Sequence, residues 1–70
     1  MIISDWVIII DYKGDEQLIN LAQSKAISIT KDSVIFDIKN DNEPTIINVK
    51  NSEKIFHMLK AMLKAKKIGQ

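Results

Sequence analysis

Cysteine and arginine are both missing from this 70-residue chain, which has only two glycines, one proline and one histidine. Each scarcity closes a route. Without cysteine there is no disulfide framework and no thiolate zinc site, and the chain fits a reducing compartment. One imidazole is too few for a histidine-based metal site. Gly14 and Gly69 cannot build a glycine-rich phosphate cradle. The absence of arginine, which supplies the bidentate guanine contacts and most phosphate forks of nucleic-acid readers, argues against sequence-specific DNA reading. No apolar run approaches the roughly 20 residues of a bilayer span. The apolar stretch from Met1 to Tyr12 contains two aspartates and lacks a basic leader and a small-residue cleavage site. It reads as a strand and not a signal peptide, in a cytoplasmic protein.

What is present is aliphatic, lysine-rich and short. Seventy residues allow one domain with a small core, and such domains are commonly reinforced by disulfides, a metal or a second subunit. With the first two disfavoured, self-association is the expected reinforcement. Net charge is only +1, but it is unevenly spread. Residues 1–43 carry eight acids and four lysines, whereas residues 44–70 carry six lysines and one acid. The chain therefore has an acidic part and a basic part. An AT-rich genome accounts for some of the lysine, isoleucine and asparagine excess.

Five short segments rich in β-branched residues come first, separated by turn signals. Alternation over Trp6 to Tyr12 puts Trp6, Ile8, Ile10 and Tyr12 on one face, expected to be the core face for Trp6, and Val7 and Ile9 on the other. Lys13–Gly14–Asp15 is a hairpin turn, with Gly14 supplying positive φ. Gln17 to Leu21 forms the second strand, with Leu18 and Asn20 opposite Ile19 and Leu21. In the third, Ile27 and Ile29 share a face. In the fourth, Val34, Phe36 and Ile38 face away from Ile35 and Asp37. A polar loop over Asn40 to Pro44, the expected mobile segment, precedes the last strand, and Pro44 suits a strand entrance. From Asn51 the period changes. Asn51 or Ser52 can cap a helix, Glu53 suits its first turn, and Ile55, Phe56, Met58, Leu59, Met62 and Leu63 mark one buried face. Lys64, Lys66 and Lys67 crowd its end, and Gly69 can terminate it.

The segments from Leu18 to Phe56 resemble the small bacterial flagellar proteins of the FlbD type. That family ends a strand in Leu-Asn; here Leu18 lies near that position, Asn20 stands as the Asn, and Ile27 follows seven residues later. Asp32-Ser33-Val34-Ile35 matches its next strand start, and Val49-Lys50 leads toward the helix at Ile55. The chain departs from the pattern at Ser24, at Asn51 and in the longer Asn40–Pro44 loop. The resemblance implies a β-meander followed by a helix, and a non-enzymatic role as a flagellar-assembly helper in a larger bacterial assembly.

Candidate chemistry is sparse. His57 would need a nucleophile and an orienting carboxylate to serve as a general base, and no such motif accompanies it. Asp5, Asp11, Asp15, Asp37, Asp41 and Glu43 offer hard oxygen ligands, but without Asp-x-Asp or EF-hand spacing they read as turn residues. His57, Lys60, Lys64 and Lys67 fall within one narrow helical sector. That stripe fits an acidic protein surface, phosphates bound in a salt-dependent manner, or solvent alone. No aromatic residue interleaves with the lysines to stack on bases. A membrane-surface helix would compete with the sheet for the same apolar face.

The expected fold is α+β: an antiparallel β-meander of about five strands over residues 1–50, packed on one amphipathic helix over 51–68. Strands apolar on both faces leave two outcomes, a sheet curled into a half-barrel or a second face covered by another chain. Val7, Ile9, Ile47 and Val49 are the expected homodimer interface. The functional expectation is a non-enzymatic, cofactor-free protein-interaction module that regulates or occludes a larger partner. A phage-encoded inhibitor of a host defence system is one concrete form. A nucleic-acid-binding accessory protein using the lysine stripe is the alternative.

Overall fold

The computed structural model describes residues 5–69, so Met1 to Ser4 of the apolar N-terminal stretch lie outside the described residues. Five strands and one C-terminal helix form a small α+β fold. The strands are β1 (Trp6–Ile10), β2 (Glu16–Asn20), β3 (Ser24–Ile29), β4 (Ser33–Ile38) and β5 (Thr45–Asn48), and the helix α1 spans Ser52–Leu63. Every strand pairing is antiparallel, as short connections require. The meander is divided, however. β1 and β2 form one two-stranded sheet, and β3, β4 and β5 form a second in that order.

The corner between the sheets is a single 3-10 turn, Leu21–Gln23. The Asn20 side-chain oxygen accepts from the Ala22 N–H at 3.0 Å, offering the backbone a tighter path than a continuing strand. Leu21 is buried, and its N–H donates to the Asp5 carbonyl at 2.8 Å, tying the corner back to the start of β1. At the other end, the Tyr12 N–H donates to the Asn48 carbonyl at 2.7 Å, joining the hairpin to β5. The strands curl, and their inner faces enclose the core.

That core consists of Ile9, Ile19, Leu21, Val34, Phe36, Ile47, Val49 and Leu59, with Val7, Ile27, Ile29, Ile38 and Ile55 partly buried against it. Val34 and Phe36 on the central strand β4 have no exposed surface. Opposite them in register stand Ile29 and Ile27 on β3 and Ile47 and Thr45 on β5. The expected facing of β1 and β5 is therefore reversed. Ile9, Ile47 and Val49, anticipated at an interface between copies, are buried within the chain, and Val7 is half-buried. Trp6, anticipated in the core, is 52% exposed. The reason is geometric. Helix α1 lies against β3 and β4, so the first hairpin must cover the remaining inner surface with its own Val7, Ile9 and Ile19 face.

Polar bonds fix where the helix begins. Asn51 is its cap, accepting from the Lys54 N–H at 3.1 Å, and Glu53 lies in the first turn. Ser52, 2% exposed, donates its hydroxyl to the Thr30 carbonyl at 2.7 Å and the Lys31 carbonyl at 3.0 Å. The same β3–β4 turn is closed by the Thr30 and Ser33 hydroxyls at 2.6 Å, and Asp32 accepts from the Val49 N–H at 2.9 Å. Among the described residues, no buried side-chain nitrogen or oxygen lacks a partner.

The helix is shorter than its sequence period predicts. Lys64 adopts the left-handed conformation at φ 53°, and its N–H donates to Ala61 while that of Ala65 donates to Lys60. These two bonds form a Schellman stop, with lysine where glycine is usual. Gly69 lies beyond it.

Two substitutions check these placements by chemical denaturation. Ser52→Ala removes a buried donor from the Thr30 and Lys31 carbonyls and should destabilise the chain by about 1–3 kcal/mol. Lys64→Gly relieves the left-handed strain and should stabilise it by about 1 kcal/mol.

Candidate functional site

The first hairpin turns solvent-ward a face that is apolar. Along β1 the inward residues Val7 and Ile9 alternate with Trp6, Ile8 and Ile10, each more than half exposed, and Leu18 joins them from β2 at 62% exposure. Ile8 stands directly opposite Leu18 in register. Cross-strand apolar pairs of this kind are usually core. Here they are surface. The polar residues on the same face, Asn20 opposite Trp6 and Glu16 opposite Ile10, mark it as the outer side. That is the signal sequence reading missed: β1 is apolar on both faces, but β2 is not.

The turn below this face is built by Asp11. Its N–H donates to the Asp15 carbonyl at 2.9 Å, and its carbonyl accepts from Gly14 at 2.9 Å. One carboxylate oxygen accepts from the Lys13 and Asp15 N–H groups, both at 2.9 Å, and the other from the Gln17 side-chain amide at 3.0 Å. Gly14 closes the turn at φ 90°, a conformation costly for a residue with a Cβ. The Gln17 hydrogen bond first, then those from Asp15 and Lys13, hold the Asp11 carboxyl below the ordinary aspartate range. Beyond the turn, the Tyr12 ring is 64% exposed, with the Lys50 ammonium 6.0 Å from its centre.

Between turn and helix runs an open groove of about 420 Å³. Ile10 and Tyr12 line one side, Ile55 and Met58 the other, and Lys13, Lys50 and Lys54 stand around it. A second groove, of about 270 Å³, lies between β3 and the other flank of the helix, against Ile27, Phe56, Leu59 and Leu63.

The anticipated basic stripe is divided between the helix and the residues after it. His57 and Lys60 lie on α1, Lys64 is its left-handed stop, and Lys67 follows the helix. Lys60 is half-buried, its ammonium 5.2 Å from the centre of the Phe56 ring, a cation–π contact at the edge of the apolar face. His57 is exposed, with no hydrogen-bonding or ion-pairing partner among the described residues. The acids are dispersed. Asp37 meets Lys25 at 3.9 Å, an exposed pair of small worth. No three His, Cys, Asp or Glu side chains among the described residues are grouped to hold a metal ion. No helix among them is long and apolar enough to cross a membrane.

No family model matches this chain, and no curated protein or solved structure is measurably similar to it.

The Asp11 turn carries a pH prediction. A carboxyl whose folded pKa is depressed stabilises the fold above its unfolded value, and that contribution is lost as pH falls through the folded value. A carboxyl NMR titration should place the Asp11 midpoint below 3.8. Gln17→Leu, which deletes the largest cause, should move it upward.

Proposed function

We propose that this chain is a non-catalytic protein-binding module whose docking surface is the outer face of the first hairpin. The observation that carries the reading is the adjacent exposure of Trp6, Ile8, Ile10 and Leu18, each more than half accessible. A domain of this size has little apolar residue to spare from its core, and a contiguous exposed patch is the usual mark of an interaction surface. Aromatic anchors such as Trp6 are enriched at the centres of interfaces. The module acts by occupying or scaffolding a larger protein, and self-association through the same face is its simplest form. An inhibitor carried by a phage or other mobile element is one role that suits so small a binding domain. The alternative, a nucleic-acid-binding accessory protein using His57, Lys60, Lys64 and Lys67, has two of these four residues on α1.

Light scattering across a hundredfold dilution tests the face directly, comparing wild type with the Ile8→Glu/Leu18→Glu double variant. Both positions are exposed, so the variant should keep its circular dichroism spectrum. Wild type is expected to dimerise at the concentrated end, with the variant monomeric throughout. Identical behaviour of the two proteins would count against the face.

A further inference from the structure

The groove between the first hairpin and helix α1 has a composition that specifies its occupant. Its apolar walls are Ile10 and Tyr12 on one side and Ile55 and Met58 on the other. Tyr12 and Met58 are each more than half exposed, and Ile10 continues the row of Trp6 and Ile8. The β1 row of Trp6, Ile8 and Ile10 therefore runs into the groove.

Around it stand three lysines, Lys13, Lys50 and Lys54, all exposed and none in an ion pair among the described residues. Among the described residues one acid lines the groove, Asp11, which also holds the turn. Both carboxylate oxygens accept hydrogen bonds, from the Lys13 and Asp15 N–H groups and from the Gln17 amide. Three lysines against one carboxylate leave the lining net positive, with the Lys13 charge acting on Asp11. The neighbouring surfaces lack this combination. The groove on the β5 side of the same turn mixes Lys13 with Asp11 and Asp15. The β3 groove carries two lysines, Lys25 near Asp37 and Lys60 over Phe56. Among these grooves the α1–hairpin one joins the most lysines, three, to apolar walls.

We infer that this groove binds an acidic peptide segment of a partner protein, with one apolar side chain seated between Tyr12 and Met58 and carboxylates held by Lys13, Lys50 and Lys54. This rests on the protein-binding reading above and names the chemistry of the partner. The apolar walls favour a peptide over a nucleic acid. Aliphatic side chains offer no stacking platform, and Tyr12 is the one aromatic ring in the groove lining. Lysines, as flexible point charges, suit carboxylates spread along an extended chain.

The test is a fluorescence anisotropy titration with a short labelled peptide alternating glutamate with leucine, a serine-for-glutamate control, and duplex DNA. Three proteins are compared: wild type, the Lys13→Glu/Lys50→Glu/Lys54→Glu variant, and Ile8→Glu/Leu18→Glu. Wild type should bind the acidic peptide, more weakly as salt rises, and should prefer it to both other probes. Reversing the three lysines should lower affinity about tenfold or more, the combined effect of three partly screened charge contacts, with the circular dichroism unchanged. Met58→Asp should weaken binding as well. Equal binding of the neutral peptide, preference for DNA, or indifference to the lysines overturns the groove assignment. If dimerisation still responds to Ile8→Glu/Leu18→Glu in that case, the hairpin face stands and only the groove falls. If neither responds, both fall together.

Discussion

The fold depends on closing cover over Val34 and Phe36. These two side chains sit on the central strand of the three-stranded sheet and have no exposed surface. A twelve-residue helix lying against β3 and β4 cannot cover that sheet alone. The first hairpin supplies the rest, bringing Ile9 and Ile19 over the same core. The split into two sheets, the 3-10 corner at Leu21–Gln23 and the Tyr12-to-Asn48 hydrogen bond all serve this closure. A flat five-stranded sheet would have left one of its apolar faces in water, where sheets of that kind aggregate.

Closure has a polar counterpart at the helix start. The turn between β3 and β4 and the first residue of α1 are far apart in sequence, yet the buried Ser52 hydroxyl bonds two carbonyls of that turn. A buried hydroxyl without a partner is costly, so these bonds help specify where the helix sits as well as that it forms. From that anchor, Leu59 reaches the core while Met58, Met62 and Leu63 remain more than half exposed. The apolar stripe of the helix is wider than the sheet beneath it.

Surplus apolar surface is found in two places that meet, the outer face of β1–β2 and the hairpin-facing flank of α1, while Ile46, Leu63 and Ile68 are exposed elsewhere. Both follow from the same geometry. Once the inner faces close on one another, the second apolar face of β1 has no place inside and the edge of the helical stripe has no strand to meet. The lysines at the turn, after β5 and on the first turn of the helix converge on this surface, although they are distant in sequence.

The residues by themselves determined the number of strands, their antiparallel order and the helix that follows. Each rests on local physics: period-two alternation, Gly14 at a left-handed position, Pro44 at a strand entrance, and Asn51 as a cap. The inward faces of β3 and β4 were also legible, because Ala26, Ser28 and Asp37 mark their outer sides. The facing of β1 and β5 was not, since Val7 and Ile9 are as apolar as Ile8 and Ile10, and Ile46 as Ile47. Glu16 and Asn20 held the answer for β1, but only once the register placed them across from Ile10 and Trp6. The early helix stop was likewise hidden, because Lys64 has no local preference for the left-handed state it adopts. Which apolar face is buried depends on what lies across the core from it. That is a contact between segments distant in the chain, and only the tertiary structure decided it.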